Sequence, residues 1–226
     1  MNDITQRTLR KIRSFVLREG RLTLGQQRAL KELLPRFGLS ISTEQKFNFD
    51  IIFNRHAPVI LEIGFGNGES LAQQALQNPH LDFIGIEVHK PGIGHLLMRL
   101  EELQLTNVRV LNTDAVEVLQ HAIAAHSLHG VQLFFPDPWH KKKHHKRRIV
   151  QSAFIEQLHI LLATNGWFHV ATDWTDYAVH TQNVMMAFDV FEKRTVEYAI
   201  ARPETKFERR GLRLGHEVTD LVYRKK

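Results

Sequence analysis

Leu61-Glu62-Ile63-Gly64-Phe65-Gly66-Asn67-Gly68-Glu69 decides the fold. An apolar run, Val59–Ile63, stops at a glycine-rich turn, and a helix-like segment, Ser70–Gln77, follows. A strand is expected to end here and a helix to begin. Glycine lets the chain turn sharply and lets a ligand approach the backbone. The first turn of a helix offers N–H groups with no partner inside the helix. The dinucleotide fingerprint needs a further glycine three places beyond Gly66. That place holds Glu69, which would crowd and repel a pyrophosphate.

Outward from this turn the pattern repeats. Strand-like runs recur at Asp82–Ile86, Val108–Leu111, Val131–Phe135 and Trp167–Ala171. Helix-like segments fall between them, at His95–Leu103, Ala115–Ala125 and Ile149–Leu162. Strands alternating with helices in units of about 30 residues form a parallel sheet. After Thr175 a helix is expected to about Ala187, then strands at Phe191–Tyr198 and His216–Tyr223, pairing antiparallel to close the sheet. The expected fold is α/β and Rossmann-like, a mostly parallel seven-stranded sheet with helices on both faces. Residues 1–50 read as a basic N-terminal extension, partly flexible, with a short helix around Thr23–Leu34; residues 51–226 read as the domain proper.

In open α/β sheets ligands bind outside the carboxyl ends of the strands. Gly64, Glu87, Asp114 and Asp137 all fall at such ends. Glu87 sits where an acid accepts hydrogen bonds from ribose hydroxyls. Asp114 can accept from an exocyclic adenine amine, cap the next helix, or do both. Glu62 is either a ligand-facing acid or a support for the turn. The spacing acid-x-Gly-x-Gly-x-Gly, from Glu62 through Gly64 and Gly66 to Gly68, resembles motif I of the S-adenosylmethionine methyltransferases. That ligand carries a sulfonium and an amino group, so acids suit it.

The second informative stretch is Leu133-Phe134-Phe135-Pro136-Asp137-Pro138-Trp139, followed by His140-Lys141-Lys142-Lys143-His144-His145-Lys146-Arg147-Arg148. Each proline fixes its own φ and restricts the residue before it. Asp137 is therefore presented at a strand end with little freedom to lose. Trp139 either stacks on a base or packs against the sheet edge. The run beyond it is either a phosphate-binding patch or a solvated loop. A metal site at His140, His144 and His145 is disfavoured, since no acid or Cys is near and lysines intervene.

Composition narrows the classes. The 226 residues are 43% hydrophobic, enough for one core and an extension. Lys and Arg number 30 against 24 acids, a net charge of +6 that favours polyanionic partners. Cys is absent, which removes disulfides and thiolate metal sites and fits a reducing compartment. No apolar run approaches the roughly 18 residues of a membrane span, and Asp3, Arg7 and Arg10 interrupt any signal-peptide core. A cytoplasmic protein is expected, with no membrane and no metal as partner. Monomer and homodimer both stay open.

Six motifs in order then resemble one family. They are Glu62–Gly68, Gly85-Ile86-Glu87, Phe135–Lys141, Lys146-Arg147-Arg148, Ala171-Thr172-Asp173 and Thr205-Lys206-Phe207-Glu208. Together they are similar to the bacterial tRNA (guanine-N7-)-methyltransferases of the TrmB type, over roughly residues 14 to 223. Arg13-Ser14-Phe15-Val16 and Arg18–Thr23 resemble that family's N-terminal segment. The resemblance implies a class I S-adenosylmethionine-dependent fold and methylation of guanine N7 at position 46, in the tRNA variable loop. It implies that Glu62, Gly64, Gly66, Gly68, Glu87, Asp114 and Asp137 line the cofactor site. Lys141, Asp173, Thr205, Lys206, Phe207 and Glu208 would hold the substrate, and Lys143, His144, His145, Lys146, Arg147 and Arg148 would touch RNA.

Guanine N7 has a lone pair and no proton, so alignment rather than a general base is the expected device. Asp137 is the expected catalytic residue, with Glu208 as a second candidate for gripping the N1–H and N2 edge. The rivals are an NAD-linked oxidoreductase, which Glu69 opposes, a non-catalytic RNA-binding module on the same fold, and a DNA or small-molecule methyltransferase.

Overall fold

The computed structural model describes residues 12–16, 20–42, 44–204, 208 and 217–226. Five strands run parallel: β1 (Val59–Ile63), β2 (Asp82–Ile86), β3 (Val108–Leu111), β4 (Leu128–Phe134) and β5 (Leu162–Thr172). Two more follow, β6 (Phe191–Arg194) and β7 (Thr219–Lys225). Among the described residues the sheet order is β3-β2-β1-β4-β5-β7-β6, with β7 antiparallel to both its neighbours. Every residue of β1 and β2 is buried, as central strands covered on both faces must be.

The cover is helical. On one face α3 (Phe49–Phe53), α6 (Ala115–His121), α7 (Ser152–Leu161) and α8 (Thr175–Met185) pack around Leu61, Ile63, Val131 and Phe168. On the other, α1 (Leu24–Glu32), α2 (Leu34–Phe37), α4 (Glu69–Gln77) and α5 (Lys90–Glu102) enclose Ile60, Phe83, Val108 and Val110. The helix expected at Thr23–Leu34 is α1. Thr23 caps it in a reciprocal box with Gln26, and it lies against α5 through the Gln26 amide and the Pro91 carbonyl, 3.1 Å apart. Ala29, Leu33 and Phe37 are buried, and Leu39 donates to the Val110 carbonyl at the sheet's edge.

Several boundaries differ from expectation. The helix expected from His95 begins at Lys90, with Pro91 in its first turn. Gly92 and Gly94, inside this helix, serve packing. A Cβ on Gly92 would lie 1.9 Å from the Gly66 carbonyl oxygen. The strand expected at Phe191–Tyr198 stops at Arg194 and becomes a 3₁₀ turn, Val196–Tyr198. Its edge is charged, with Glu192 paired to Arg224 and Arg194. Charges on an edge strand block pairing with another chain. The last strand runs to Lys225, and the expected start at His216 lies outside the described residues.

Candidate active site

The glycine turn after β1 is held in left-handed backbone at Gly64, Gly66 and Gly68, with φ of 73°, 61° and 75°. A Cβ at Gly64 would meet nothing within 4 Å, so this backbone faces open space. At Gly68, which caps α4, a Cβ would strike Leu96. One glycine keeps the wall bare, and the other lets two helices approach.

Glu87 ties the turn to β2. Its Oε2 accepts from the Gly66 N–H at 2.8 Å, and its Oε1 from the N–H groups of Val88 at 2.7 Å and His89 at 3.0 Å. The carboxylate is thus fixed in direction at the strand's end. Asp114 caps α6, accepting from the Val116 N–H at 3.0 Å, so the capping reading holds. Glu62 is 3% exposed, and its Oε2 has no hydrogen-bond partner. Burial first, and the charge of Glu87 second, push its carboxyl up to about 8. A buried acid with an orphaned oxygen suits a cationic partner.

Across the sheet Phe135 still donates to Ala171 at 2.8 Å, but its φ is 49°, and that of Trp139 is 51°. Two left-handed non-glycine residues therefore bracket Pro136-Asp137-Pro138. Backbone in such regions clusters at functional sites. Arg148 supports the loop from beneath. It donates to the Pro138 carbonyl at 2.9 Å and pairs with Asp176, which this hydrogen bond holds below the usual carboxylate range. Asp137 itself is exposed.

One cavity of about 260 Å³ joins these parts. Gly64, Gly66, Glu87 and Asp137 line it, as do Ser14 and Phe15. The glycine turn and the Asp137 loop thus open on the same side of the sheet. A second cavity of about 190 Å³, reaching Asp114, shares Ser14 and Ile149 with the first.

The basic stretch divides. Lys141, Lys143 and Lys146 are exposed, the last two on a 3₁₀ helix, Lys142–Arg147. Arg148, expected to touch RNA, is instead 2% exposed and engaged in the loop, because its guanidinium supplies the donors that Pro138 and Asp176 need. Arg147 donates to the carbonyls of Arg13 at 2.9 Å and Phe15 at 3.1 Å and lies over the Trp139 ring. His140, His144 and His145 face different partners: Trp174, Trp139 and Arg148 respectively. Burial and then the neighbouring cations lower the proton affinity of His144. Asp173 is half-buried just beyond β5, and Glu208 pairs with Arg202. Thr205, Lys206 and Phe207 lie outside the described residues.

In the sequence, Ser14 and Phe15 stand out only through the family resemblance. No spacing could link them to Trp139, whose indole donates to the Ser14 carbonyl from 125 residues away.

A seven-stranded sheet in this order, with a glycine turn after β1 and acids closing the neighbouring strands, defines a class I methyltransferase. The sequence matches a family model described as a putative methyltransferase over residues 56–221. A tRNA (guanine-N(7)-)-methyltransferase of Alkalilimnicola ehrlichii is 58% identical over 222 residues, 96% of this chain and 94% of its own. The counterpart in Alcanivorax borkumensis is 53% identical over 227 residues, 98% of this chain and 95% of its own. The chain belongs to the tRNA (guanine-N(7)-)-methyltransferase family. Among solved structures, the 16S rRNA methyltransferase KamB matches with a TM-score of 0.58 at 16% identity, covering 80% of this chain and 95% of KamB, a likeness of fold. No helix among the described residues is long and apolar enough to cross a membrane.

Proposed function

We propose that this chain transfers a methyl group from S-adenosylmethionine to N7 of a guanine in tRNA, at position 46 of the variable loop. The observation that carries the reading is the shared cavity, which brings Gly64, Glu87 and Asp137 to one mouth. The cofactor supplies an electrophilic methyl on a sulfonium when bound. The residues present fit it: Gly64 offers bare backbone, and Glu87 is aimed by three N–H groups while keeping lone pairs for ribose hydroxyls. The Glu62 carboxylate, with its orphaned oxygen, suits the ammonium. Asp114, its backbone role in α6 already filled through one oxygen, has the other for an adenine amine.

Guanine N7 needs no base to remove a proton, so the protein's task is to orient the ring. Asp137 accepts from the guanine N1–H and N2 amine and aims N7 into the cavity. Its charge also stabilises the positive purine that forms. Adenine presents a different edge, which leaves such a carboxylate unpaired and selects the base. Lys141, Lys143 and Lys146 hold phosphates beside the mouth, and Asp173 stands at the neighbouring strand end.

The test is direct. The protein is incubated with unmodified tRNA and methyl-labelled cofactor, and the modified base is mapped. Label at N7 of guanine 46 is expected; label on another base or position overturns the assignment.

A further inference from the structure

A partly buried chain of charges runs beside the mouth, and methyl transfer as described does not use it. His169 on β5 is 2% exposed, and its Nε2 lies 2.7 Å from Asp220 Oδ1 on β7. Arg202 grips the same carboxylate twice, Nε to Oδ1 at 2.7 Å and Nη2 to Oδ2 at 2.8 Å. Its other edge donates to both oxygens of Glu208, with Nη2 to Oε1 at 2.9 Å. One guanidinium therefore forks onto two carboxylates, a geometry that lysine cannot reproduce.

The location ties this cluster to the reaction. The Arg202 side chain is 10% exposed, and its Cζ lies 5.6 Å from the Phe135 ring centroid and 5.9 Å from that of Phe134. Both phenylalanines line the cofactor cavity. Asp220 is rooted in the sheet, whereas Glu208 belongs to the segment beyond β6. Burial alone would raise the Asp220 carboxyl, but hydrogen bonds from Arg202 and His169 hold it below the usual range. Burying such charges is a poor route to stability, because apolar side chains of similar volume serve as well or better. Two carboxylates share one guanidinium here. Carboxylates suit a purine edge that donates hydrogen bonds and turns cationic during the reaction.

We propose that Arg202 is a positioning residue for methyl transfer, turning the Glu208 carboxylate toward the guanine while Asp220 and His169 hold Arg202 to the sheet. The role rests on the methyl-transfer reading above, and Arg202 itself touches neither substrate nor cofactor.

The experiment compares wild type, Arg202→Met, Arg202→Lys, Glu208→Gln and the Arg202→Met/Glu208→Gln double variant. Single-turnover methylation of unmodified tRNA is measured at saturating tRNA and cofactor, beside equilibrium binding of labelled S-adenosylmethionine and the melting temperature. Arg202→Met is expected to slow transfer on the order of 10²-fold, as misplacement of an orienting group does. Cofactor affinity should stay within about twofold, because only the step after binding is affected. The double variant should be no slower than its slower parent, since both changes disable one device. Arg202→Lys should recover part of the rate. If Arg202→Met does not fold, Asp220→Asn tests the same link by loosening the anchor, with the same expected split between rate and cofactor affinity.

Transfer at the wild-type rate in Arg202→Met, losses that multiply in the double variant, or a parallel loss of rate and cofactor affinity would overturn the role. A wild-type protein inactive on tRNA would remove the methyl-transfer reading and this role with it. An active wild type beside a full-rate Arg202→Met would remove this role alone.

Discussion

The Arg147 guanidinium lies 3.8 Å from the centroid of the Trp139 ring, and both side chains donate to backbone carbonyls of residues 13–15. Trp139 and Arg147 thereby fasten an N-terminal segment that walls the cavity. Hydrogen bonds from a charged donor contribute about 1.5–3 kcal/mol, and the neutral indole bond about 1 kcal/mol. Arg147→Ala should therefore weaken cofactor binding about tenfold or more, and Trp139→Phe by less, since its ring still packs. Calorimetric titration with S-adenosylhomocysteine measures the affinities. Faster hydrogen exchange at Ser14 and Phe15 in Arg147→Ala, with β1 and β4 unchanged, would locate the effect. Equal affinity in Arg147→Ala and wild type would contradict it.

Glu62 makes the protein's response to pH specific. Its carboxyl sits at about 8 in the folded chain, above the 4.5 of an unperturbed Glu. A group whose folded value is raised contributes stability that is complete below the unfolded value and lost as pH rises through the folded one. The ligand-free protein should therefore lose stability between pH 4.5 and about 8, by at most about 1.4 kcal/mol per unit from this group. Glu62→Gln should flatten that slope. Cofactor binding should run the other way, because an ammonium pairs with the ionised carboxylate: affinity rises with pH up to about 8 and levels off. Melting curves and titrations from pH 5 to 9, on wild type and Glu62→Gln, check both signs.

Two glycines should fail for different reasons. Gly64 has φ 73° and open space where a Cβ would go. Gly64→Ala should cost stability about 1–2 kcal/mol for the left-handed backbone and place a methyl group where the ligand approaches. Cofactor binding should fall sharply while the protein stays folded. Gly92 has ordinary φ but no room, with the Gly66 carbonyl 1.9 Å from its would-be Cβ. Gly92→Ala should push α5 away from the glycine turn, lowering the melting temperature more than Gly64→Ala does. A stable Gly92→Ala with unimpaired binding would show that the turn yields.

The parallel core was legible because it depends on local pattern. Buried runs such as Val59–Ile63 and Asp82–Ile86 can only be central strands, and Gly64, Glu87, Asp114 and Asp137 follow from where those strands end. What stayed hidden depends on contacts distant in sequence. Nothing near Arg148 says that it will be buried under Pro138 rather than offered to phosphate, because its partner Asp176 comes from α8. Nothing near Gly92 and Gly94 announces their packing role, since the bodies that press on them, Gly66 and Gln26, come from other elements. The prolines restrict Asp137, yet the turn itself is made at Phe135 and Trp139, whose positive φ no residue preference announces.

That division of the basic stretch sets a final measurement. Lys143 and Lys146 are exposed, whereas Arg148 is 2% exposed and paired with Asp176. Each phosphate contact steepens the dependence of log affinity on log salt by about 0.7 on single strands and 0.9 on duplex. Replacing Lys143 and Lys146 by Gln should flatten the slope for tRNA binding by about 1.5 and leave the melting temperature near wild type. Arg148→Met should do the reverse. Removing one partner of a buried pair costs about 3–5 kcal/mol, tempered here because Asp176 is 59% exposed and can turn to water. It also frees the Pro138 carbonyl, so Asp137 loses its fixed direction. The variant should melt early and transfer methyl slowly, while the salt slope of whatever remains folded keeps the wild-type value. Filter binding of labelled tRNA across a salt series separates the two, and a flattened slope in Arg148→Met at unchanged melting temperature would return that residue to the RNA-facing set.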